Sequence, residues 1–123
     1  MTTILLSIKP RFVEQILNGE KRFEYRKHVP ERHVNKIIIY SSSPVCAVVG
    51  EAEVAEILSD TPINIWNTTK NQSGIDAKFF FDYFNDKSVA YAYKLKNVKK
   101  YTKPKKLGDF GIKYAPQSFV YIK

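Results

Sequence analysis

Glu24 and Arg26 stand two residues apart in a stretch where Phe23 and Tyr25 alternate with Arg22, Glu24 and Arg26. That period of two puts successive side chains on opposite faces of a strand, so the two charged groups share its polar face. There the planar guanidinium of Arg26 offers a fork of donors that can hold a phosphate or a base edge through two hydrogen bonds. Glu24 can orient that fork or accept from the exocyclic amine of a bound base. The alternative is an exposed Glu–Arg pair worth at most about 1 kcal/mol. A purely ligand-binding Arg26 predicts that Arg26→Ala removes binding and leaves stability nearly unchanged.

Other polar groups fall where strands end. Lys9, Tyr40, the run Ser41, Ser42 and Ser43, and the pair Gln117 and Ser118 can bind phosphate oxygens or read a base edge, and Tyr40 can stack on a base. Ser-Ser-Ser-Pro44 is equally ordinary turn chemistry. Lys94, Lys96, Lys99, Lys100, Lys103, Lys105 and Lys106 crowd one stretch with Tyr93 and Tyr101 among them. This reads as a sequence-neutral contact to a phosphate backbone, weakening with salt as counterions are released, or else as a solvated charge run.

Several chemistries find no support. His28 and His33 lie in a charged loop without a neighbouring cysteine, and no metal ligation is expected. The single cysteine, Cys46, lies in Val-Cys-Ala-Val-Val and reads as a small buried hydrophobe. There is no glycine-rich phosphate loop and no evident Ser-His-Asp set, and no cofactor is implied. Trp66 and Phe79, Phe80 and Phe81 read as core, with Trp66 able to stack on a base from a cleft rim.

The whole chain bounds these readings. Its 123 residues, 44% hydrophobic and 26% charged, suit a single domain over residues 1–123 with a core of its own. A formal charge of +8 and a pI near 9.5 favour a polyanionic partner. The lone cysteine, the missing basic leader and the lack of any apolar run of about 20 residues point to a cytoplasmic chain with no membrane partner.

The elements that must position the polar groups follow from local pattern. Thr3–Ile8 reads as a strand and Pro10–Asn18 as a helix, with Pro10 in its first turn, Phe12, Val13, Ile16 and Leu17 on one stripe and Gly19 as left-handed cap. Strands follow at 22–26, 36–40 and 45–58, the last with a bulge or bend at Gly50. Short helices are expected at 61–66 and 77–84, the second capped by Asp76. A strand at 89–95, a lysine-rich loop at 96–106 broken by Pro104, and a final strand at 117–122 complete the chain. Uneven strands with inserted helices predict an α+β class, a small mixed β-barrel flanked by short helices.

These residues resemble a known family. Leu-Ser-Ile-Lys9-Pro10, the helix ending in Gly19-Glu20-Lys21, and Phe23-Glu24-Tyr25-Arg26-Lys27 are similar to the ASCH-domain signature. Ile39-Tyr40-Ser-Ser-Ser43-Pro44-Val45, Val48-Val-Gly50-Glu51, Trp66, Gly74-Ile75, Tyr83-Phe84 and Pro116-Gln117-Ser118-Phe119 continue it in order. The resemblance implies a PUA-like barrel with a basic cleft near residues 19–27, and it adds Lys21 and Lys27 to the binding set. It implies RNA or a nucleotide-like ligand as partner, with a role in transcription or translation control. It also leaves open a small hydrolase acting on N4-acetylcytidine, or a ribonuclease, with Lys21 and Glu24 as catalytic groups. In the amidohydrolase members a threonine stands three residues after the lysine; here that position is Glu24, which has no hydroxyl. A Lys–Glu pair would have to move protons through shifted pKa values instead.

Overall fold

A computed structural model describes residues 1–123. The strands are β1 (Thr3–Ile8), β2 (Phe23–Arg26), β3 (Lys36–Ser41), β4 (Ala47–Asp60), β5 (Ala90–Lys105) and β6 (Phe119–Ile122). The helices are α1 (Pro10–Leu17), α2 (Pro62–Thr69) and α3 (Ala77–Tyr83), with 3₁₀ turns at Lys70–Gln72 and Leu107–Phe110. All six strands join one sheet in the order β2-β5-β4-β3-β1-β6, curled into a half-barrel with α+β composition. Only β1 and β3 pair in parallel, and the chain between them carries α1 and β2.

Each element has a local cause. Pro10 occupies the first turn of α1, where its missing N–H costs nothing, and Val13 and Ile16 turn inward. Thr61 and Asp76 cap α2 and α3 by accepting from the backbone of Asn64 and Phe79. Alternation along β1 sends Ile4, Leu6 and Ile8 to an inner core with Ile37, Ile39 and Tyr93. Leu5 instead joins Ile38, Tyr40, Val48 and Tyr101 on the opposite face, covered by Leu107, Phe110 and Ile112. A third cluster joins Phe23 and Tyr25 of β2 to Ile65, Phe80 and Phe84 of the helices.

The structure corrects several boundaries. Residues 96–105 continue β5 as a strand rather than forming a loop. Pro104 is tolerated because the ladder is interrupted there: Gly50 faces Lys100 and Val48 faces Lys105, so residues 101–104 stand opposite Val49 alone. A β-carbon on Gly50 would sit 2.5 Å from the Lys99 carbonyl oxygen, which explains the glycine at this bulge. β4 begins at Ala47 and leaves Cys46 exposed at φ 53°, not buried. β6 begins at Phe119, so Gln117 and Ser118 belong to the preceding loop. Of the phenylalanine run, only Phe80 is buried; Phe81 is exposed.

Candidate functional site

The turn after α1, with Gly19 at φ 88°, brings Lys21 back under the helix, where its amide donates to the Gln15 carbonyl. The Lys21 side chain is 2% exposed. Its Nζ donates to the Ser73 carbonyl at 2.6 Å and lies 4.8 Å from the Tyr25 ring centre and 5.2 Å from that of Phe12. The 73–75 turn closes tightly over this lysine. Gly74 is at φ 72°, and a β-carbon there would lie 2.9 Å from Lys21 Cβ. Burial pulls the Lys21 pKa down to about 8; Glu24 opposes the shift and Arg26 adds to it. Tyr25, hydrogen-bonded to Thr69 at 2.7 Å, is pushed up to about 12, chiefly by burial.

The next residue, Arg26, donates from Nε and Nη2 to the same oxygen of Glu24, Oε2, at 3.2 and 2.9 Å. Its Nη2 also donates to the Ser7 carbonyl at 2.7 Å. β2 is one edge of the sheet and β1 lies beside the other, so Arg26 ties the two sides of the open barrel together. The side chains of Arg26 and Glu24 are 14% and 6% exposed, which overturns the alternative of an exposed pair. Arg26 therefore has a structural role, and Arg26→Ala is expected to lower stability. Glu24 Oε1 and Arg26 Nη1 have no protein partner.

Both side chains line a cleft of about 520 Å³. Among the expected residues, Lys9, Lys21, Glu24, Arg26, Tyr40, Ser42, Ser43 and Gln117 line it together. Ser41 is buried and off the cleft. Lys27, with its Nζ 4.7 Å from the Tyr83 ring centre, and Ser118 are also outside the lining. The lysines of β5 are exposed and none reaches the cleft. Trp66 packs on Phe80 with ring centres 5.0 Å apart, away from the rim. The charged side chains of the lining are Lys9, Lys21, Arg26 and Glu24.

The sequence reading missed part of the wall. Phe12 and Phe79, in edge contact at 5.6 Å, line the cleft with Ile75 and Tyr83; Phe12 looked like one more member of the apolar stripe. Ser7, whose Oγ donates to the Pro116 carbonyl at 2.7 Å, is set on the same strand face as Lys9 by its spacing of two, a signal that was available. Ser73 gave no signal, because it acts through its carbonyl. Cys46 also lines the cleft; the Tyr40 pKa is raised mainly by burial, with Cys46 adding to the shift.

A family model described as a domain of unknown function, DUF365, matches residues 1–115. The chain belongs to the DUF365 family. This DUF365 chain also has the ASCH-domain, PUA-like fold. It superposes on the crystal structure of ASCH from Zymomonas mobilis with a TM-score of 0.89 at 24% identity, covering 98% of this chain and 87% of that one. An ASCH domain-containing ribonuclease of Zymomonas mobilis is 27% identical over 94 residues, 76% of this chain and 64% of that protein. The ATP synthase subunit alpha of Ureaplasma parvum serovar 3 is 34% identical over 122 residues. The DUF365 chain spans only 15% of that subunit's length. No helix is long and apolar enough to cross a membrane.

Proposed function

We propose that this protein binds RNA by seating a single nucleotide unit in the cleft, and that it works in the cytoplasm in the control of transcription or translation. The observation that carries the reading is the half-satisfied Glu24–Arg26 pair. Each group is held by the other, yet Glu24 Oε1 and Arg26 Nη1 remain without protein partners beside the cleft. An acceptor and a cationic donor side by side suit a base edge or a base plus its phosphate. Phe12, Tyr25, Phe79 and Tyr83 supply aromatic surface for stacking, which needs no particular base. The volume lies in the range of small-ligand sites. A ribonuclease among the relatives supports RNA as the ligand class.

A second reading, hydrolysis, draws on one observation. Lys21 has its pKa brought to about 8 by burial, with the Glu24 charge opposing the shift, the kind of tuning that lets an amine exchange protons near neutrality. Its substrates would be RNA itself or an acylated nucleoside such as N4-acetylcytidine.

Titrating short single-stranded RNA into the wild type, Glu24→Gln and Lys21→Met tests the first reading; the same mixtures, followed for RNA cleavage and deacetylation of N4-acetylcytidine, test the second. Binding by the wild type that falls at least about 10-fold in Glu24→Gln is expected from the loss of a charged hydrogen bond. Equal binding by all three proteins would remove the cleft from the account. Turnover absent from Lys21→Met would establish the hydrolase; turnover equal in both would exclude Lys21 from it.

A further inference from the structure

The seven lysines of residues 94–106 are not equivalent. Strand register puts Glu56 opposite Lys94, Glu53 opposite Lys96 and Glu51 opposite Lys99. These carboxylates lower the positive potential along the first part of the run, as opposite charges on facing strands do, without pairing directly with its lysines: Glu51 bonds Lys36 and Tyr101, and Glu53 accepts from Asn97. Beyond the bulge the pattern ends. Lys100 faces Gly50 and Lys105 faces Val48, no carboxylate occurs from Ser41 to Gly50, and Asp109 is the one acid between Lys100 and Lys113.

The uncompensated end adjoins the cleft. Val48, opposite Lys105, also faces Tyr40 on its other side, and Tyr40 lines the cleft with Ser42, Ser43 and Cys46 just ahead of β4. Tyr40, Val48 and Tyr101 pack in one cluster. Lys105 Nζ lies 4.4 Å from the Tyr101 ring centre and 5.9 Å from that of Phe110, which places it over the same sheet face.

We propose that the Lys100–Lys106 end of β5 is a second, phosphate-binding subsite that takes the backbone of a single-stranded nucleic acid leaving the cleft across the Ser42–Cys46 rim. The inference rests on the nucleotide-binding reading of the cleft and adds a direction to it. The Lys94–Lys99 part, faced by glutamates, takes no share. Compact ammonium groups held on a strand contact phosphates without reading bases, so the subsite adds affinity with length and is sensitive to salt.

The test compares wild type, Lys103→Glu/Lys106→Glu and Lys94→Glu/Lys96→Glu, which carry identical charge changes. The probes are the four ribonucleoside 5′-monophosphates and a mixed-sequence single-stranded RNA of about 12 nucleotides, a length within the usual footprint of such sites. For Lys103→Glu/Lys106→Glu the expected result is a loss of about 10-fold or more in oligonucleotide affinity at low ionic strength, with the log–log salt slope shallower by about 1.4 for two lost phosphate contacts. Monophosphate binding should stay within about twofold, which also reports an intact cleft. Lys94→Glu/Lys96→Glu should lose several-fold less oligonucleotide affinity. Equal losses in the two variants, or wild-type oligonucleotide binding no tighter than that of the best monophosphate, would overturn the subsite while leaving the cleft reading standing. Monophosphates and oligonucleotide that both fail to bind the wild type would overturn the two together.

Discussion

Two ion pairs of similar length occupy this sheet and serve different ends. Lys36 and Glu51 meet at 2.7 Å on facing strands, and Glu51 spends its second oxygen on the Tyr101 hydroxyl at 2.9 Å. Lys36 holds the Glu51 carboxyl below the usual carboxylate range, with burial opposing and Tyr101 assisting. Glu24 and Arg26 meet at 2.9 Å within one strand, are more buried, and leave an oxygen and a nitrogen unspent beside a cleft. A pair whose polar atoms all have partners is finished as structure, whereas one held rigid but partly unpaired is prepared for something else. Neither atom is buried without a partner as Gln15 Oε1 and Tyr93 Oη are, so both remain open to the cleft and available to a ligand.

The sharpest way to break this contrast is to remove one partner from each pair. Arg26→Ala should lower RNA affinity about 10- to 100-fold, as for the loss of hydrogen bonds to a charged group. It should also lower stability by roughly 2–3 kcal/mol, somewhat less than the cost of orphaning a fully buried ion. Chemical denaturation and binding titration read the two effects separately. A stability loss without any binding loss would make Arg26 a strut between β2 and β1 and nothing more.

Next in size is the pH response of Lys21. Burial disfavours its ammonium form, so the folded chain holds this proton less tightly than the unfolded chain, whose lysine titrates near 10.5. Stability therefore rises as pH climbs through about 8, on the order of 2–3 kcal/mol by pH 10. Above pH 10 the raised pKa of Tyr25 begins to act the other way. Lys21→Met should lack the rise, measured by urea midpoints at intervals from pH 7 to 10. A wild-type curve parallel to that of the variant would contradict the buried, cleft-lining lysine.

Smallest is the effect on the finished pair. Lys36→Met should cost at most about 1 kcal/mol, because that pair is partly solvated, and should leave RNA affinity unchanged. A binding loss comparable to that of Arg26→Ala would erase the distinction between the pairs.

One side of this contrast, the Glu24–Arg26 pair, was legible in the sequence, whereas the Lys36–Glu51 pair was not. The alternation in 22–26 placed Glu24 and Arg26 on one polar face, and Pro10, Asp76 and Gly19 marked their helix ends, because these are local preferences of the backbone. Family-like residues pointed to the barrel. What stayed hidden depends on contacts distant in sequence: the Ser7 carbonyl that receives Arg26, the Ser73 carbonyl that receives Lys21, and the glutamates of β4 that divide the lysines of β5. Pro104 and the surrounding lysines look like a loop from composition alone, and only the interrupted pairing with β4 lets them remain strand. Cys46 looked buried among valines, yet the left-handed turn before β4 exposes it at the cleft.

The most direct test of the account is to map ligand contact on the folded protein by amide and side-chain NMR shifts while a short single-stranded RNA is titrated in. The largest perturbations should fall on the Arg26 guanidinium and on Glu24, Ser42, Ser43 and Gln117, and should vanish in Arg26→Ala. Perturbations confined to exposed lysines, or the same cleft shifts persisting in Arg26→Ala, would contradict it.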